Sequence, residues 1–256
     1  MLPDLSVLPV FMLVFTRCTG FLVASPLFII PGIPPLVKAG FAFVLSLIIF
    51  PTVSPTEVDI AGGLLGFGLM VLSEAAVGLA MGLICTIIFN AFRIAGQMID
   101  FQIGFAMSQM MDPGSGQMTT LLGRFLFYVT LAVMLTMDGH HGLIWGLVNS
   151  YQTLPLTAAE MSGGVTLFVI RVFADTVTMA LKVAIPVIAA LLMTDMALGI
   201  MGRTAPQMNV FMLGFPFKMM FGLVSLAILL PLIGAVFATV IDQMHRDLLL
   251  LVKGLS

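Results

Sequence analysis

Residues 64–92 read LLGFGLMVLSEAAVGLAMGLICTIIFNAF, and this stretch decides the fold. It carries a single charged side chain, Glu74, in 29 residues. At about 1.5 Å of helical rise per residue, it outruns the ~30 Å hydrocarbon core of a bilayer. As a helix it must therefore tilt, kink or protrude. Working outward, further apolar segments run over 5–30, 39–50, 121–137, 172–200 and 210–241. The chain is 60% hydrophobic and 9% charged, with a mean hydropathy of +1.18. A soluble domain needs far more polar surface, whereas lipid solvates apolar side chains directly. The expected fold is all-α, a multi-pass set of membrane-type helical hairpins.

The net charge of −2 comes with no basic run for nucleic acid and no acidic tail. Cys18 and Cys85 lie inside apolar stretches and give neither a disulfide framework nor a zinc spacing. The N-terminus lacks the positive region of a cleaved signal peptide, so the first segment is expected to stay. Pro26, Pro31, Pro34 and Pro35 close the first segment, and Pro51 and Pro55 the second. Pro186, Pro216 and Pro231 sit inside later ones, where each removes a backbone donor. Gly62-x3-Gly66 and Gly78-x3-Gly82 have the spacing of close helix contacts. No internal repeat is visible.

Charge placement suggests an orientation. Lys38, Arg93, Arg124 and Arg203 lie in or beside the first, third and fifth links, which places those links inside and both termini outside. Arg246 and Lys253 near the C-terminus argue weakly the other way.

Charges within apolar segments are costly, at roughly 2.5–3.5 kcal/mol for a central one, so they are expected to face protein or water. These are Arg17, Glu74, Asp175, Lys182, Asp195 and Lys218. Arg171 and Asp175 are four apart and can pair along one helix face, with Lys182 two turns on. An ion relay and structural pairing between packed subunits both fit. Asp138-Gly139-His140-His141 could bind a metal, but adjacent helical imidazoles are expected to point about 100° apart. A turn with Gly139 at the bend, and no metal or other cofactor, is the reading adopted. No nucleophile elbow and no His-Glu-x-x-His motif occurs, and Asp195 lacks the setting of an intramembrane aspartyl protease.

Residues 96–116 are too polar for lipid and too apolar for a free loop, and close on Asp112-Pro113-Gly114, a turn signal. They suit a re-entrant loop in protein or an interfacial helix. Phe105, Met107, Met110 and Met111 could make a deformable seal. One Trp and two Tyr against 21 Met and 21 Phe suggest a weak lipid belt and much adaptable protein contact.

Several motifs then occur in a recognisable order: Arg17-Cys-Thr-Gly20 with Ser25-Pro26, Ala95-Gly96-Gln97 with Asp112-Pro113, Asp138-Gly-His-His141 with Leu154-Pro155, and Arg203-x-Ala-Pro206-Gln207-x-Asn209 with Gly214-Phe215-Pro216. Over nearly its whole length the chain resembles the FliR family of the flagellar type III export gate, with injectisome relatives. Asp100 departs from the flagellar pattern, which leads one to expect a small or apolar residue there. The resemblance implies a non-enzymatic gate subunit in the bacterial inner membrane at the flagellar basal body. Its implied partners are FliP- and FliQ-like subunits, a FlhB-like switch protein and unfolded export substrates. It further implies a FliP-like portion over 1–166, holding a plug loop at about 96–118, and a FliQ-like hairpin portion over 167–256. Plug residues would be Phe105, Met107, Met110, Met111, Asp112, Pro113 and Gly114. The hairpin tip would hold Arg203, Pro206, Gln207 and Asn209. The alternative is an independent ion-coupled transporter of a small solute, with Arg171, Asp175 and Lys182 as its coupling site.

Overall fold

A computed structural model describes residues 7–30, 32–53, 63–105, 120–159, 163–205, 207 and 209–255. Among them every regular element is helical: α1 Val7–Ala24, α2 Pro35–Ile49, a 3₁₀ turn Phe50–Thr52, α3 Gly63–Ile103, α4 Leu121–Thr136, α5 Gly139–Thr153, α6 Gly163–Thr204 and α7 Val210–Leu255. Five helices are long and apolar enough to cross a membrane, or six if α4 and α5 form one broken span. The chain is an all-α multi-pass membrane protein.

Local chemistry explains several boundaries. Pro35 opens α2 at its first turn, where a missing N–H costs nothing. Gly104, at φ 101°, ends α3 in a conformation that suits glycine. Asn209 accepts the Met212 N–H on its side-chain oxygen at 3.3 Å and caps α7. Asp138, at φ 56°, makes the left-handed turn before α5. The bend therefore falls on Asp138 and not on Gly139, because an aspartate tolerates this region.

Three helices run many residues beyond their apolar segments. α3 continues past Phe92 to Ile103, since Ala95, Ile99 and Ile103 prolong its buried stripe at helical spacing. This corrects the reading of 96–103 as part of a loop. α6 starts at Gly163, ahead of the apolar segment at 172. α7 runs on to Leu255, with Leu248, Leu251 and Val252 buried. Pro186 lies within α6, and Pro216 and Pro231 within α7.

The chain forms two compact units, neither continuous in sequence: residues 1–88, 138–173 and 241–256, and residues 89–137 and 174–240. In the first, α1 packs on α2 and the 3₁₀ turn through Phe11, Phe15, Phe43 and Phe50. It also meets α3 backbone to backbone. A Cβ on Gly20, Gly78 or Gly82 would collide with main-chain atoms of the opposite helix. Thr86 Oγ1 closes this seam by donating to the Ala24 carbonyl at 2.5 Å. Gly66, by contrast, has open space where a Cβ would go, so the first glycine pair makes no such contact at that residue. In the second unit, Phe89, Phe92, Phe127 and Phe237 form the aromatic core.

Candidate functional site

Among the described residues, two polar centres interrupt the apolar interior. The first gathers around Arg17 of α1, which is fully buried. Its Nε donates to Glu74 Oε2 at 2.5 Å, and neither side chain has any exposure. Nη1 donates to the Leu154 carbonyl at 3.1 Å and to Ser150 Oγ at 3.4 Å. The guanidinium carbon lies 4.5 Å from the centre of the Tyr151 ring, a cation–π arrangement. Tyr151 in turn donates its hydroxyl to the Val14 carbonyl at 3.2 Å. The other Glu74 oxygen accepts the N–H of Thr157 at 2.8 Å. Thr157 is a β-branched residue at φ 66°, a position that needs such support. The network joins α1, α3, the end of α5 and the turn after it. Apart from Arg17 Nη2, which has no hydrogen-bond partner among the described residues, the named polar groups pair with one another, so the network serves as an internal tie.

The second centre surrounds the two ends of segment 106–119. Asp100 Oδ2 accepts the N–H groups of Leu122 at 2.8 Å and Gly123 at 3.1 Å. These are free amides of the first turn of α4, so a carboxylate of α3 caps α4. Gly96 and Gly123 lie against each other, and a Cβ on Gly96 would strike the α4 backbone. One carboxylate thus holds the start of α4 to α3. At the near end, the Phe105 ring meets Phe215 of α7 edge-on at 6.2 Å. Gln102 donates to Asp195 Oδ2 of α6 at 3.1 Å, and Lys218 of α7 reaches Asp195 Oδ1 at 2.5 Å.

The residues singled out from the sequence fall into several groups. Arg17 and Glu74 come together, and Asp195 finds Gln102 and Lys218. Arg171, Asp175 and Lys182 are all exposed on α6. Phe105 is half-buried, whereas Met107, Met110, Met111, Asp112, Pro113 and Gly114 lie outside the described residues. Arg203, Gln207 and Asn209 are exposed in and beside the connection from α6 to α7, and Pro206 lies outside the described residues. Asp138, His140 and His141 bring their ligand atoms within 4.8 Å of one another, and the imidazole centres are 4.3 Å apart. The divergence expected of adjacent helical histidines therefore does not hold, because His140 and His141 stand at the very start of α5. Sequence reasoning gave no site role to Asp100, Gln102, Tyr151 or Thr157. Tyr151 had a signal, as one of two tyrosines in the chain.

The family described as bacterial export proteins, family 1, matches residues 8–244. The chain belongs to this family. A flagellar biosynthetic protein FliR of Bacillus subtilis (strain 168) is 35% identical over 256 residues, with 97% of each chain covered. A protein of the same description from Pectobacterium carotovorum is 32% identical, over 86% of this chain and 83% of its own. One from Aquifex aeolicus is also 32% identical, over 87% and 85%. The matched span takes in both polar centres of this export-family protein, the Arg17 tie and the Asp100 cap.

Proposed function

We propose that this chain is a non-enzymatic core subunit of the flagellar type III export gate. In this reading it assembles with FliP- and FliQ-like subunits around a pore that passes unfolded flagellar subunits across the bacterial inner membrane at the basal body. The observation that carries the reading is the near full-length similarity to flagellar biosynthetic proteins.

The second polar centre supports it. A gate must exclude ions yet yield to a polypeptide, which calls for a pliable closure on a fixed base. Segment 106–119 holds Met107, Met110 and Met111, and its ends are set by Asp100 and by Phe105 against Phe215. We assign residues 105–116 as the plug. The FliP-like portion would be 1–166 and the FliQ-like hairpin portion 167–256, with its tip at 203–209 facing a FlhB-like switch protein. The hairpin has the surface for it. Leu167, Met193, Met196, Met212 and Ile228 are each about 70% exposed within the chain. Lys182, exposed on α6, is then placed to meet a charge of a neighbouring subunit, which a bilayer would not provide.

Deleting the gene from its own host tests the assignment. The account expects no filament and no exported flagellar subunits, both restored by a plasmid copy. Normal flagella in the deletion strain would contradict it.

A further inference from the structure

All three histidines of the chain gather at one end of α5. His140 and His141 open the helix, and Asp138 precedes it. His245 of α7 lies directly on Gly142, where any Cβ would collide with its imidazole. We propose that Asp138, His140 and His141 form a binding site for a divalent transition-metal ion of the zinc class.

The donor set is two imidazoles and one carboxylate, the combination that holds zinc while leaving a coordination position open. The three ligand atoms lie within 4.8 Å of one another. Around a tetrahedral ion with bonds of about 2.0 Å, donors stand roughly 3.3 Å apart. Side-chain rotation closes that difference, because the Asp138 and His141 side chains are 73% and 71% exposed and unhindered. His141 Nδ1 and Asp138 Oδ1 already stand 3.8 Å apart. His140 Nδ1 is buried without a hydrogen-bond partner among the described residues, and so is His245 Nε2, which lies against Gly142. The unpartnered His140 nitrogen is free to take a ligand. The left-handed turn at Asp138 folds its carboxylate back toward the two rings, which a continuous helix would not do. No residue of either polar centre described above takes part.

Zinc titration of the purified full chain in detergent, with any affinity tag removed and alone or in the complex it purifies with, tests the site. The expected result is one zinc ion per chain. Asp138→Asn and His141→Gln should each weaken binding by about 10–100-fold, without shifting the melting temperature measured in the presence of a chelator. Cobalt should give the intense visible bands of a low-coordinate site in the native chain, and these should fade in His140→Gln. His245→Gln sits outside the set and should retain cobalt binding. Unchanged zinc affinity in the Asp138 and His141 variants, or no stoichiometric zinc uptake by the native chain, would overturn the proposal.

Discussion

Arg17 and Glu74 stand 57 residues apart in the chain and meet at 2.5 Å, with no solvent reaching either side chain. Two charges in so apolar a chain have to be justified physically. Each carries a desolvation cost of several kcal/mol, which the attraction offsets only with good geometry and further hydrogen bonds. Here Arg17 Nη1 is taken up by Ser150 and the Leu154 carbonyl, the guanidinium face by Tyr151 and the second Glu74 oxygen by the Thr157 amide, while Nη2 has no hydrogen-bond partner among the described residues. The pair therefore specifies which helices meet, whatever its net contribution to stability.

Removing one partner should do more harm than removing both. Arg17→Met or Glu74→Gln alone should destabilise by about 3–5 kcal/mol, because a buried charge is left uncompensated. The double variant should fall short of the sum of the single effects by more than about 1 kcal/mol. Thermal unfolding of the four proteins in one detergent measures this cycle, and strict additivity would mean that the pair does not couple.

The glycines of α3 should separate into two kinds. Gly66→Ala meets open space and should stabilise by up to about 1 kcal/mol through helix propensity. Gly78→Ala drives a methyl group into the Arg17 carbonyl and should lower the melting temperature clearly. Equal responses to the two substitutions would show that the α1–α3 seam is not closed as described.

Asp100→Ala should cost about 0.5–2 kcal/mol, the ordinary loss for a helix cap. Asp100→Asn keeps an acceptor oxygen and should recover most of that. If both variants lose equally, the carboxylate charge matters beyond its two hydrogen bonds.

Much of this was legible in the sequence, and what was not has physical causes. The apolar onset at Leu121 was readable, whereas α2 opens at Pro35, ahead of the apolar segment at 39, because proline suits the first helical turn. The Gly78–Gly82 seam was readable from spacing. The end of α3 was not, because Gln97, Asp100 and Gln102 look like loop residues until α4 and α6 supply partners for Asp100 and Gln102. The same holds for Arg17. Its cost was evident from its setting, but the identity of its partner depends on chain crossings that no local pattern encodes. At Asp138, polar loop chemistry allowed two residues to make the turn, and the aspartate took the left-handed position.

The plug assignment predicts an ion leak. Deleting residues 107–111 in the assembled gate should let small ions cross the membrane of expressing cells, while Asp100 still caps α4 after the shortened segment. Measured conductance or growth inhibition by an otherwise excluded ion reads this out. An unchanged permeability would remove the sealing role.

The central claim is that this chain works only inside a multi-subunit export gate. Purification of the tagged chain from its own membranes in mild detergent tests it most directly. The account predicts stable co-purification with two further small membrane proteins, of FliP and FliQ type, identified by mass spectrometry. A chain that purifies alone, remains stable and carries out solute uptake in liposomes would contradict it.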